Sequence, residues 1–387
     1  MSPERAVPLS SQDAMAVKAD VLSHGLTISQ SVLEAYGYPF LEKRRAYNNP
    51  DPPSFRTRTI PQEMYLESAM LVASVNVTYA SPWTLDHHAG AYWLWSTDGT
   101  AVPVTFPKRP AFYDWQLSSG QRLTQVATLY GGRSLGIFVF GSCALVDMGK
   151  ACQYCSIAPN RQWEVEFEHV VRPEQVKEAV ALALRDEAAP LQQVMLNGGN
   201  FPDLDKSFLY YARLAAAAEE AIKESGRQVD LHLIVFPPRD LELFRELIPV
   251  NVAIAMNTEV FDAELFARYC PGKAEVAGRE HILKALERAA ELLGPNRVYS
   301  IFVGGLEPLE TLERGLRYVA ERNVAPVINV LHTDPGTPLE RHPRPSTERI
   351  LEMGRRLQDI YAAKGFRPFY EDCGRNSLDT EAYRGFF

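Results

Sequence analysis

From about Pro173 onward, stretches with apolar residues every three or four positions alternate with short β-branched or apolar runs. Pro173 to Glu187 reads as an amphipathic helix whose proline suits its first turn. Gln193 to Leu196 reads as a strand ending at Asn197-Gly198-Gly199-Asn200, and Asp203 to Gly226 as a long Ala-rich helix. A strand from Val229 to Phe236 stops at Pro237-Pro238. Arg239 to Leu247 follows as a helix and Val250 to Met256 as a strand. Asp262 to Leu293 is helical with a break around Pro271-Gly272, and Arg297 to Val303 is a strand. Leu309 to Arg322 (helix), Pro326 to Leu331 (strand) and Ser346 to Lys364 (helix) complete the series.

Strands separated by helices of this length imply βαβ crossovers and parallel pairing. With the apolar run Leu135 to Gly141 as the first strand, the pattern holds six β/α units. A closed barrel needs eight. The expected fold class is therefore α/β, a partial (β/α)6 TIM-like barrel over residues 131–365, with a tail over 366–387 near the barrel mouth.

Residues 1–130 read as an N-terminal α+β cap or extension. They hold helical patterns at Gln12 to Leu22 and Ile28 to Tyr36, then a Pro-rich connector from Asn48 to Pro53. Strand-like runs follow at Met70 to Thr78, Ala91 to Ser96 and Ala101 to Phe106. Ala111 to Trp115 is an aromatic loop, and Leu123 to Tyr130 reads as a short helix.

In open or closed β/α folds, chemistry collects at the carboxyl ends of the strands. The unusual residues fall there: three cysteines after the first strand, Asn197-Gly198-Gly199-Asn200, Pro237-Pro238, Asn257 with Glu259, Gly304-Gly305, and His332 with Asp334. Composition excludes little. Hydrophobic content of 46% and charged content of 23% are ordinary for a globular protein. A net charge of −8 argues against a nucleic acid or an anionic membrane as partner. No apolar stretch is long enough to span a bilayer, and no apolar segment near Met1 reads as a signal peptide. Five cysteines, an odd number with three of them clustered, do not make a disulfide framework. A reducing cytoplasm is the expected location.

The clustered thiols are Cys143, Cys152 and Cys155, spaced Cys-x8-Cys-x2-Cys. Three thiolates can hold three corners of a [4Fe-4S] cube and leave one iron open for chemistry. A structural zinc site is the first alternative, but it wants four ligands, and the nearest candidate, His169, lies beyond the loop. Three packed, inert thiols are the second.

At these residues the chain resembles the radical S-adenosylmethionine (SAM) superfamily, in particular its biotin synthase/lipoyl synthase-like branch. The resemblance covers about Leu135 to Lys364. The family places three cysteines after the first barrel strand with an aromatic residue before the last, here Tyr154. Its usual spacing is Cys-x3-Cys-x2-Cys, so the longer first gap departs from the pattern. Asn197-Gly198-Gly199-Asn200 is similar to the family's Gly-Gly-Glu element, which binds the methionine amino group, with Asn200 in place of the acid. Glycine there lets backbone approach a ligand closely. Asn257-Thr258-Glu259 resembles an Asn-x-Glu element that reaches the SAM ribose and methionine portions, and Arg279 is a candidate for the SAM carboxylate. Gly305 falls in an element beside the adenine, and Pro335 to Leu339 resembles a segment at the same place in the branch.

The resemblance implies that SAM's amino and carboxylate groups chelate the open iron. One electron from the cluster then cleaves SAM, and the 5′-deoxyadenosyl radical takes hydrogen from a small-molecule substrate. An electron donor such as flavodoxin or ferredoxin is implied. His332 and Asp334 face the expected substrate side. Cys373, in a polar segment after the last helix, is a candidate catalytic residue on that side, and Cys270 breaks a helix near the expected SAM position. Packed thiols are the alternative for both. His87-His88 and the aromatic residues Tyr113 and Trp115 read as strand and core, and Lys108-Arg109 and Lys43-Arg44-Arg45 as solvated surface. Two rival functions stay open: transfer of SAM's aminocarboxypropyl group, and a non-catalytic iron–sulfur or zinc scaffold or carrier.

Overall fold

The alternating runs assemble into two sheets in the computed structural model, which describes residues 9–36, 60–78, 80–163 and 170–387. The connector Asn48 to Pro53, the run Lys43-Arg44-Arg45 and His169 lie outside these residues. The first sheet is formed by β1 (Thr27–Ile28), β2 (Glu63–Leu66), β3 (Leu71–Ser74), β4 (Trp83–His88), β5 (Ala91–Ser96) and β6 (Ala101–Thr105). Its order is β1-β4-β5-β6-β2-β3, antiparallel except for β1 against β4. Ala89 and Gly90, at φ 52° and 80°, make the tight β4–β5 hairpin, where two left-handed residues match the strand twist. Leu85, Leu94, Val102 and Val104 are buried, and helix Ser11–His24 packs against β3.

Several expectations here are corrected. In the run from Met70 to Thr78 the strand proper is Leu71–Ser74, entered from a left-handed corner at Met70 (φ 50°) after the short 3-10 turn Glu67–Ala69, and Val77 then bridges Leu26. Ile28 belongs to β1, and the helix is Gln30–Tyr36. Trp83–His88, whose alternation is weak, is a strand. The aromatic segment Ala111–Asp114 forms a 3-10 turn with Phe112 and Tyr113 buried.

The second sheet contains β7 (Ala127–Tyr130), β8 (Ser134–Phe140), β9 (Gln193–Gly198), β10 (Asp230–Ile234), β11 (Ala253–Ala255), β12 (Val298–Gly304) and β13 (Ala325–Val330). Neighbours follow chain order, from β13 at one side to β7 at the other. β8 to β13 are all parallel, and β7 runs antiparallel to β8. Leu123 to Tyr130 is therefore not a helix: one 3-10 turn, Leu123–Gln125, leads into β7. Gly131 and Gly132, at φ 57° and 74°, reverse the chain so that β7 lies back on β8; sheet pairing overrides a short run's local preference. Every residue of β12 is buried, as in a parallel sheet covered on both faces.

Helices Pro173–Arg185, Leu204–Ser225, Arg279–Leu293, Leu309–Ala320 and Thr347–Lys364 pack along the strands and supply that cover on one face. Local chemistry sets their limits. Asp203 caps Leu204–Ser225 by accepting from the Lys206 N–H, and left-handed Gly226 ends it. Arg239 to Leu247 tightens to a 3-10 segment, Leu241–Leu247. The stretch from Asp262 divides into Ala263–Tyr269, Pro271–Val276 and Arg279–Leu293, broken at Cys270 and at Gly278 (φ 80°).

The tail lies along the free edge of β13. The Val330 N–H donates to the Asn376 carbonyl (2.9 Å), the Leu378 N–H donates to the Ile328 carbonyl (3.1 Å), and helix Asp379–Arg384 packs on Thr347–Lys364. An edge strand that would otherwise be open is thereby paired.

Candidate functional site

A cavity of about 400 Å³ opens at the carboxyl ends of the parallel strands, and Cys143, Cys152 and Cys155 line it together. Their loop is held by backbone bonds to its neighbours. The Gly199 N–H donates to the Phe140 carbonyl (2.9 Å) and the Ala144 N–H to the Asn200 carbonyl (2.9 Å), tying the ends of β8 and β9. On the other side the Gln153 N–H donates to the Tyr269 carbonyl (2.9 Å) and the Gly272 N–H to the Lys150 carbonyl (3.0 Å). The Cys143 thiol donates to Asn200 Oδ1 at 3.1 Å.

Burial first, then the neighbouring Cys152 sulfur, pushes the Cys155 thiol up to about 12, and Cys143 adds to the effect. The Cys152 thiol is lowered, chiefly by a hydrogen bond from Cys270 that outweighs burial, with the Lys273 charge assisting. Thiols that resist ionisation while uncompensated release their protons when cationic metal neutralises them. Among the described residues no three His, Cys, Asp or Glu side chains are grouped so as to hold a single metal ion.

Opposite the cysteines, the end of β11 aims a carboxylate into the cavity. Glu259 has φ 64°, uncommon for a bulky residue, and it is held there by bonds on both sides. Its N–H donates to the Ile301 carbonyl (2.9 Å), and its carbonyl accepts from the Val303 N–H (2.8 Å). Thr258 turns the other way, sharing a 2.7 Å hydrogen bond with Ser300 Oγ. The Glu259 carboxylate meets Lys273 Nζ at 2.7 Å, both side chains nearly buried. Burial alone would lower the Lys273 pKa, but Glu259 and the two nearby sulfurs raise it. Asn257 Oδ1 is buried in the same wall and accepts no hydrogen bond within the chain.

Tyr154, Gly198, Gly199, Asn200, Asn257, Glu259, His332 and Asp334 also line this cavity. His332 Nδ1 and Asp334 Oδ1 are 2.8 Å apart. Burial disfavours the imidazolium, but attraction and hydrogen bonding to Asp334 outweigh it and raise its pKa.

Three expected residues stand elsewhere. Arg279 donates to the Phe261 carbonyl, pairs with exposed Glu280 and lies 5.0 Å over the Phe261 ring. Gly305, at φ 115°, faces Pro345. Cys373 packs under Gln193, the first residue of β9, with Sγ 3.6 Å from Gln193 Oε1. That is the amino end of the sheet, away from the cavity. Lys273 also lines the cavity and sequence reading missed it; the Pro271-Gly272 break marks where the helix divides but not where the short helix Pro271–Val276 then points.

No family model matches the chain. Over 292 residues it is 24% identical to the bacteriochlorophyllide c C-7(1)-hydroxylase of Chlorobaculum limnaeum, covering 68% of this chain and 72% of that protein. Among solved structures it is similar to HydG, a maturase of the FeFe-hydrogenase, with 12% identity and a TM-score of 0.47 over 69% of this chain; the match spans 62% of HydG. It is also similar to a radical SAM methyltransferase from Sphaerobacter thermophilus, with 17% identity and a TM-score of 0.45, over 76% of this chain and 81% of that one. Among the described residues no helix is long and apolar enough to cross a membrane.

Proposed function

We propose that the protein is a radical SAM enzyme on a partial (β/α)6 barrel, capped by its N-terminal sheet, with a [4Fe-4S] cluster and SAM as cofactors. One observation carries this reading: three thiols from one loop share a cavity with an orphaned amide oxygen and a buried carboxylate–ammonium pair. The donor set fits. Three sulfur ligands leave a fourth iron position open, and the polar groups opposite suit a zwitterion carrying a ribose. When bound, the cluster supplies the one-electron reductive cleavage of SAM to a 5′-deoxyadenosyl radical.

The chain's own residues do the positioning. Asn257 Oδ1 accepts from the N–H of the methionine amino group, Glu259 accepts from ribose hydroxyls, and Lys273 neutralises the methionine carboxylate. Gly198 lies in the cavity wall at the end of β9, its missing side chain making room for the Phe140 backbone, and Tyr154 flanks the adenosyl group. Ile234, Val235, Ile301 and Val303 keep water from the reacting carbon. Asp334 holds the Nδ1 side of His332 and so fixes the imidazole's orientation in the cavity wall on the substrate side. The substrate is a small molecule in a biosynthetic pathway. Likeness to a bacteriochlorophyllide hydroxylase favours an oxidative outcome at carbon. A flavodoxin or ferredoxin supplies the electron.

Anaerobic reconstitution with iron and sulfide, followed by SAM and dithionite, tests the reading by product analysis. 5′-Deoxyadenosine that disappears in Cys152→Ala is the expected result. Methylthioadenosine would assign aminocarboxypropyl transfer instead. Intact SAM beside a cluster-free protein would sink the enzyme reading and leave a scaffold.

A further inference from the structure

Two amides line the cavity without a part in holding SAM: Asn197 on β9 and Asn329 on β13. Strand alternation fixes where they point. Gln193 meets His232 Nδ1 (2.8 Å) and the Phe369 carbonyl (2.7 Å). The Tyr299 ring lies 6.3 Å from that of His232 and 5.0 Å from that of Phe369. Together they fill the inner face of the parallel sheet at its amino end. Successive side chains take opposite faces, so Asn197 shares the face of Gln193, Ile234 that of His232, and Ile301 and Val303 that of Tyr299. All four line the cavity. Asn329 is the register partner of Val303 and stands on the same face.

The tail brings the two borders of this sheet together. A Cβ at Gly131, in the β7–β8 corner, would sit 1.8 Å from the Cys373 carbonyl oxygen, and Ser377 bridges Asn329. From Cys373 to Ser377 the chain reaches about 14 Å at full stretch. β9 and β13 therefore present their amides to one cavity from its two sides.

Charge in this cavity is already matched. The acidic and basic side chains that line it pair off, Glu259 with Lys273 (2.7 Å) and His332 with Asp334 (2.8 Å). Ile234, Ile301 and Val303 make the inner wall apolar. An ion placed there loses its water with no unpaired opposite charge to replace it, whereas a hydroxyl or carbonyl exchanges water for an amide. An amide offers two N–H donors and an oxygen with two lone pairs, so a contact with a neighbour such as Tyr370 leaves capacity for a ligand. A volume of about 400 Å³ lies near the lower end of the roughly 300–1,000 Å³ usual for one ligand. SAM takes part of it, so the substrate enters by one end.

We propose that Asn197 and Asn329 form the substrate subsite, and that the part of the substrate entering the cavity is an uncharged apolar body bearing a hydroxyl or carbonyl, which the two amides hold. The inference rests on the radical SAM reading above and names the substrate class for that site.

The test uses four probes of one shape: cyclohexanol, cyclohexanone, cyclohexanecarboxylate and cyclohexylammonium. Each is titrated into the reconstituted full chain with SAM present at neutral pH, and binding is read by saturation-transfer NMR. The two neutral probes should bind about tenfold or more tightly than either ion. Asn197→Leu and Asn329→Leu, which keep the volume and remove the amide, should each weaken cyclohexanol about twofold to tenfold, the loss of one neutral hydrogen bond. Should the leucine variants not fold, the ranking of the four probes by wild type alone decides. An ion that binds as tightly as the alcohol overturns the proposal. So does the absence of binding by both neutral probes, or a cyclohexanol affinity unchanged in either variant. Failure of the wild-type chain to take up iron and sulfide overturns the radical SAM reading itself, and metal analysis tells that result apart from a wrong probe ranking.

Discussion

Under the proposed function, the buried Lys273 ammonium is the basic group placed to meet the carboxylate of SAM in this cavity. Lys273 is held against strained Glu259, whereas Arg279 spends its guanidinium on the Phe261 carbonyl and on Glu280. Removing a charge-assisted contact costs about 1.5–3 kcal/mol. Lys273→Met should therefore weaken SAM binding to the reconstituted protein by about tenfold to a hundredfold in calorimetry, with Arg279→Met within about twofold of wild type. The reverse ranking would restore Arg279 to the site. Asn257 and Glu259 could be picked out in the sequence because they follow a strand end, where chemistry collects in β/α folds, and resemble an Asn-x-Glu element there. Lys273 could not. Its role depends on a helix breaking at Cys270 and folding back, which no spacing rule reports. Cys373 drew attention as a thiol in a polar segment, but that segment's polarity serves buried pairing at the sheet's amino end.

Between elements, the close approach of β8 and β9 sets the geometry of the first cysteine. Two glycines at the end of β9 suggested room for a ligand, yet the group that Gly199 admits is the chain's own Ser142 carbonyl. A Cβ there would sit 1.7 Å from that oxygen. Backbone cannot rotate away as a side chain can, so Gly199→Ala must displace the loop that carries Cys143. Overpacking of this kind costs about 1–3 kcal/mol. The variant should lose half or more of its iron after reconstitution while keeping its helical circular dichroism; full iron content would show that the loop adapts. The order of the six parallel strands was readable because each apolar run is followed by a helix long enough to cross over. β7 was not, since four residues of mixed propensity fit a helical turn equally well until Gly131-Gly132 turns them onto β8.

At the scale of the whole molecule, the tail joins the N-terminal region to the parallel sheet through buried charge. Lys18, in the first helix and fully buried, donates to the Gly374 carbonyl (2.8 Å), the Ser377 carbonyl (3.0 Å) and Glu381 (2.7 Å). Arg375 reaches Glu63 on β2 at 3.2 Å, also buried. None of this was legible, because the partners are more than 300 residues apart and charged residues are ordinarily assigned to the surface. Breaking a buried pair strands the remaining charge and costs about 3–5 kcal/mol. Lys18→Met should therefore lower the denaturant midpoint sharply at neutral pH, and Lys18→Met with Glu381→Leu should recover much of the loss. The sign with pH follows from Glu381. Burial raises its pKa, and Lys18 is the main opposing influence. Without Lys18 the folded-state pKa rises further above its unfolded value, so the folded state binds the proton more tightly. The destabilisation of Lys18→Met should then shrink as pH falls through that raised pKa and be largest above it. A deficit that is flat with pH would mean that the lost carbonyl contacts, not the stranded carboxylate, carry the cost.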